Sequence, residues 1–126
     1  MTEKTVAQKA RVKSGVAVAV IEPAPDGVVD SLGLPDDATF VTPDAADLVF
    51  LFAMTQADLD ERMPAAVAAL RPGAAIWVFF RKGSKSAGLD MNRDSVWYVA
   101  EGLGMRPLGI VGIDETWSAF RLRPGA

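Results

Sequence analysis

Three runs of apolar residues organise this chain. They are Val16-Ala17-Val18-Ala19-Val20-Ile21, Leu48-Val49-Phe50-Leu51-Phe52-Ala53 (entered from Asp47) and Ala74-Ala75-Ile76-Trp77-Val78-Phe79-Phe80. Unbroken runs rich in branched and aromatic residues predict strands buried on both faces, as in a parallel sheet. Thr39-Phe40-Val41 reads as a further short strand. Between the runs the period changes. Leu59, Met63, Val67 and Leu70 recur at helical spacing, and Thr55 and Asp58 are spaced as a capping box at the start of that helix. Pro64 interrupts the stripe, and a mid-helix proline costs about 3 kcal/mol, so a kink or two short helices are expected there. Arg71-Pro72-Gly73 stops the helix. Val96, Val99, Ala100 and Leu103 mark another, capped by Asn92 and closed by Gly104. Residues 3–11 predict a short entry helix capped by Thr2, and residues 27–33 a short helix closed by Gly33.

The chain then predicts two strands, over 107–113 and 116–123, joined by Asp114-Glu115. So tight a connection forces an antiparallel hairpin. Strands alternating with helices before it imply βαβ units with right-handed crossovers. The expectation is one three-layer α/β domain over residues 1–126. Its mostly parallel six-stranded sheet has the order 2-1-3-4-6-5 and ends in an antiparallel hairpin.

Composition narrows the chemistry. Half of the 126 residues are hydrophobic and 23% are charged, as in a folded domain. Cysteine and histidine are both absent. That excludes disulfides, zinc held by Cys or His, and every catalytic scheme with a histidine base or a cysteine nucleophile. A magnesium site made of carboxylates alone stays open. The net charge is −3, which lacks the basic footprint of a module that binds duplex DNA. The start, Met1-Thr2-Glu3-Lys4-Thr5, is charged and has no apolar core, so no secretory signal is read there. The apolar runs fall far short of the ~20 residues of a membrane span, and a cytoplasmic location is the expectation.

Three segments carry a resemblance. Asp44-Ala45-Ala46-Asp47-Leu48-Val49-Phe50 resembles the strand that Rossmann-like (class I) S-adenosylmethionine-dependent methyltransferases place fourth. Leu70-Arg71-Pro72-Gly73-Ala74-Ala75-Ile76-Trp77-Val78 resembles the Leu-x-Pro-Gly lead into their fifth strand. Gly102-Leu103-Gly104-Met105-Arg106-Pro107 resembles their last helix turning into the final strands. The whole looks like a trimmed methyltransferase domain. It also resembles a family of short bacterial proteins with this plan, in which a phrase like Asp114-Glu115-Thr116-Trp117-Ser118-Ala119 recurs near the end. The resemblance implies a Rossmann-like fold, with ligands beyond the carboxyl ends of the strands at the switch point of the sheet.

Two departures stand out. Methyltransferases of this class follow their first strand with a glycine-rich turn that lets the backbone approach the cofactor. This chain has Glu22-Pro23-Ala24-Pro25-Asp26-Gly27, where two prolines fix φ and remove two N–H donors. Where those enzymes end their second strand on a ribose-binding acid, this chain has Phe40-Val41-Thr42. No cofactor is therefore assigned.

The candidate ligand rim is Glu22, Asp26, Gly27, Met54, Thr55 and Arg81. Beside it, Arg81-Lys82-Gly83-Ser84-Lys85-Ser86 gathers three cations, a glycine and two hydroxyls, a composition that can hold an anion. Its order, Gly-Ser-Lys-Ser, is not that of a P-loop. The plain alternative is a solvated loop beside a helix cap. Trp77, Trp97 and Trp117 suggest a stacking surface, although core packing is the simpler use of tryptophan. Asp114-Glu115 suggests an acid–base pair, although adjacent turn residues point apart. No catalytic or metal-ligating residue is assigned. Three readings stay open. One is a non-catalytic methyltransferase-like domain with a binding or regulatory role. The second is a small enzyme with an atypical nucleotide-like or anionic ligand site at the carboxyl ends of strands 1, 3 and 4. The third is a structural homodimer module joined through the hairpin. The partners expected are a small anionic ligand and a second copy of the chain, with neither duplex DNA nor a membrane.

Overall fold

A computed structural model describes residues 12–21, 27–82 and 93–125. Six strands form one sheet: β1 Ala17–Ile21, β2 Thr39–Phe40, β3 Leu48–Phe52, β4 Ala75–Arg81, β5 Met105–Gly112 and β6 Trp117–Pro124. Their order is β2-β1-β3-β4-β6-β5, as expected from the sequence. β1 pairs in parallel with β2 and β3, β3 pairs in parallel with β4, and the closing hairpin pairs antiparallel through β6. Most strand termini shift by a residue or two from their expected places. The expected entry helix at 3–11, the Asn92 cap, the turn 22–26 and the loop 83–86 lie outside the described residues.

Two α-helices are described, α1 over Gln56–Ala69 and α2 over Arg93–Gly102. The Thr55–Asp58 capping box is formed: the Asp58 amide donates to Thr55 Oγ1 at 3.1 Å, and the Thr55 amide donates to Asp58 Oδ2 at 3.3 Å. α1 then runs unbroken through Pro64 instead of dividing into two short helices. Pro64 and Asp60 are both exposed, so the carbonyl that loses its helical donor lies on the solvent side of the helix. The expected helix at 27–33 is shorter than read: only Asp30–Leu32 form a 3₁₀ turn, ended by Gly33 at φ +68°.

Alternation along the central strands builds two cores. Leu59, Met63 and Ala66 of α1 and Val96 and Ala100 of α2 cover Val49, Leu51, Ile76, Val78 and Leu122. The opposite face packs Val28 and Leu32 with Phe50, Phe52, Trp77, Phe79 and Trp117. On that face Phe52 stacks on Phe79 at 4.3 Å, and Trp117 meets Phe52 edge-on at 5.6 Å. Such pairs add about 0.5–1.5 kcal/mol each beyond area burial. The aromatic face thus holds the middle of the sheet rigid and fixes what stands at either end of it.

β2 is the main departure from an ordinary doubly wound sheet. It pairs only through Thr39 with Ala17 and Phe40 with Val18, so it stops level with the first half of β1. The next seven residues cross directly to β3 with a 3₁₀ turn at Pro43–Ala45 and no α-helix. Asp47 locks this crossover. Its amide donates to the Ala17 carbonyl at 2.7 Å, and its Oδ2 accepts the Ala17 amide at 3.0 Å. Arg71, from the loop after α1, donates to its Oδ1. These bonds hold the Asp47 carboxyl below the usual carboxylate range, the Ala17 amide first among the causes.

Candidate functional site

β1, β3 and β4 run in parallel, so their carboxyl ends lie at one edge of the sheet. β3 delivers Phe52 and Ala53 to this edge, and α1 starts there. Asp58 Oδ2 accepts the Met54 amide at 3.1 Å, and Arg62 donates to the Phe52 carbonyl at 2.8 Å. Arg62 also pairs with Asp58, one helical turn earlier, at 3.3 Å. The Met54 amide, the Arg62 charge and Thr55 together hold the Asp58 carboxyl below its ordinary value. Thr55 stands at the start of α1, where its hydroxyl accepts the Asp58 amide.

β4 ends at Arg81, which stands opposite Trp117 in the antiparallel register. Arg81 falls on the aromatic face, two residues beyond Phe79. Its Nε is buried and has no hydrogen-bond partner among the described residues. A shielded guanidinium nitrogen without a partner is unusual, because buried polar groups are nearly always bonded. The Lys82 amide donates to the Thr116 carbonyl at 2.8 Å, which ties the end of β4 to the start of β6. A Cβ placed on Gly112 would lie 3.4 Å from Lys82 Nζ, so the ammonium rests against the hairpin. Arg81 and Lys82 thus start from one point and spread to the two sides of β6. Gly27, exposed at φ +79°, is where the chain re-enters after the strand 1 turn. Glu22, Asp26, Ser84 and Lys85 lie outside the described residues.

The other sequence candidates resolve into structure. Trp77 and Trp117 share the aromatic core, while Trp97 lies across the sheet, stacked on Phe120 at 6.2 Å, so the three make no common surface. Asp114 Oδ1 accepts the amides of Thr116 and Trp117 at 2.8 and 2.7 Å. The carboxylate therefore closes the hairpin turn, and Glu115 is exposed beside it. Among the described residues no acidic side chains gather as a metal site. Reading the sequence missed Arg62 as a rim residue, although Asp58-x-x-x-Arg62 at helical i, i+4 spacing was a usable signal. It also missed Trp117 beside Arg81, which needed the β4–β6 register.

No protein-family model and no curated protein sequence matches this chain. Solved structures do. A TehB-like S-adenosylmethionine-dependent methyltransferase from Corynebacterium glutamicum superposes with a TM-score of 0.55 at 10% identity, over 93% of this chain and 84% of that one. The DhpI–SAH complex gives 0.58 at 12% identity, over 95% and 82%. A methyltransferase of the same cofactor class from Leishmania major gives 0.52 at 12%, over 92% and 69%. At these identities the likeness establishes architecture alone. The domain has the Rossmann-like fold of class I methyltransferases.

Proposed function

We propose that this domain works by binding a small anionic ligand at the carboxyl edge of its sheet, and that it does not transfer methyl groups. The observation that carries the reading is Arg81, whose Nε is shielded from water and unbonded among the described residues. An anion seated on the guanidinium fork supplies the missing acceptor, and charge-assisted bonds of this kind are the strong ones. Lys82, on the other side of β6, adds positive charge to the same edge of the sheet, and Ser84 and Lys85 follow it in the sequence. Glu22, Asp26, Gly27 and Thr55 are the remaining sequence candidates for the proposed site. Two features weigh against an S-adenosylmethionine site of the usual kind. β2 stops beside Val18 and brings no acidic residue to the carboxyl edge. Pro23 and Pro25 occupy the turn where such enzymes use free backbone N–H groups.

Calorimetry with S-adenosylmethionine and S-adenosylhomocysteine tests the second half of the proposal. No saturable heat is expected below about 100 μM, which corresponds to roughly −5.5 kcal/mol of binding free energy. Saturable binding in that range overturns it. A second reading, a homodimer through the hairpin, is favoured by β5: it is an edge strand with Leu108 and Ile110 exposed at 44% and 42%.

A further inference from the structure

The opposite edge of the sheet holds a cavity of about 410 Å³, away from the ligand edge just described. Its lining includes Lys13, Asp47, Leu48, Trp77, Leu108 and Arg121. We infer that this amino-edge cavity is a second small-molecule site, built for a compact monocarboxylate with a flat apolar body. The inference stands apart from the carboxyl-edge reading and uses none of its residues.

The cavity is made by a local irregularity of the hairpin. The β5–β6 register slips between Pro107 and Gly109, which leaves Leu108 as a bulged residue at the rim. Gly109 sits at φ +126°, and a Cβ there would lie 3.1 Å from Arg121 Nη2. The glycine therefore serves the arginine, because any side chain at 109 meets the guanidinium. Arg121 stands opposite Trp77 in the antiparallel register, so the charge is held beside the indole.

The charges left over select the ligand. Arg121 spends little of its donor set on the described protein: Nε is buried without a partner among the described residues, and Nη2 reaches the Leu108 carbonyl only at 3.4 Å. Lys13 is exposed and has no ion pair among the described residues. Asp47 is the one acidic side chain of the lining, and it is already held by Arg71 and the Ala17 amide. Two free cations remain, against apolar walls from Leu48, Trp77 and Leu108. Ligand pockets commonly measure about 300–1,000 Å³ and fix their ligands with a few convergent polar groups, and this cavity falls within that size range. A carboxylate on Arg121 and Lys13 with its body against Leu48 and Leu108 satisfies every element of the wall.

Indole-3-acetate and benzoate are suitable probes, titrated up to about 10 mM to capture millimolar affinities. The readout is the amide spectrum of the isotope-labelled full chain. Saturable shifts are expected at Ser14, Gly15, Leu48 and Leu108. Arg121→Gln is expected to weaken binding at least about tenfold, since a hydrogen bond to a charged group is lost. Lys13→Gln weakens it less, and Arg81→Gln leaves it unchanged. A folded spectrum for each variant keeps the comparison valid. If Arg121→Gln perturbs the fold, Arg121→Lys, which keeps the charge but loses the guanidinium fork, serves in its place. No saturable shift at these residues overturns the inference, as does equal binding by wild type and Arg121→Gln. Loss of binding in Arg81→Gln with retention in Arg121→Gln assigns the probe to the carboxyl edge and also overturns it.

Discussion

Two carboxylates do structural work that can be read by titration. Asp47 pins the β2–β3 crossover, and Asp58 closes the start of α1. Both have folded pKa values below their ordinary 3.8. A lowered folded value means that the unfolded chain binds protons first on acidification. Their contribution is therefore complete above the unfolded value and is lost as pH falls through the folded one. Stability is expected to drop from about pH 4 downward, and Asp47→Asn is expected to flatten that slope. Urea unfolding at several pH values measures it, and an unchanged slope contradicts the assignment. Thr55→Ala removes the acceptor of the cap and is expected to cost about 1 kcal/mol. Thermal unfolding at neutral pH checks this, and an unchanged midpoint contradicts it.

At the scale of elements, periodicity was the reliable guide. The unbroken apolar runs at 16–21, 48–53 and 74–80 became the three central strands because both of their faces are buried. Leu59, Met63 and Val67 of the expected stripe fall on the core face of α1, and Leu70 caps its end. The sequence left a kink or two short helices open at Pro64; the helix stays in one piece, with Pro64 on its exposed side. That place leaves the orphaned Asp60 carbonyl on the solvent side. Pro64→Ala is accordingly expected to stabilise the fold by about 2 kcal/mol, the helical penalty less the entropy that proline removes from the unfolded chain. A lower melting temperature in this variant contradicts that account. The 27–33 segment was also over-read, since so short a stretch between Gly27 and Gly33 carries no helical period.

Across the whole molecule, the strand order 2-1-3-4-6-5 was legible, because apolar runs imply parallel neighbours and a two-residue connection implies a hairpin. The amino-edge cavity was not. It depends on the bulge at Leu108 and on Arg121 standing opposite Trp77, and register between distant strands leaves no local signature. The carboxyl edge was half legible: Arg81 and Lys82 were visible as a cluster, whereas the Arg81 Nε beside Trp117, unbonded among the described residues, emerged only from the packed sheet. No described helix is long and apolar enough to cross a membrane. Association through β5 is measured by sedimentation of wild type against Leu108→Lys/Ile110→Lys. A dimer that dissociates in the variant supports the hairpin interface, and identical monomers in both contradict it.

Anion-dependent stabilisation tests the central claim most directly. Phosphate and sulfate are titrated against the melting temperature of wild type and of an Arg81→Gln/Lys82→Ala double variant. A ligand at 100 times its Kd adds about 2.7 kcal/mol, a shift of several degrees in a domain of this size. Wild type is expected to rise by that amount. The double variant is expected to gain nothing from the anion, measured against its own anion-free melting temperature. Equal stabilisation of the two proteins by the anion contradicts a site at the end of β4.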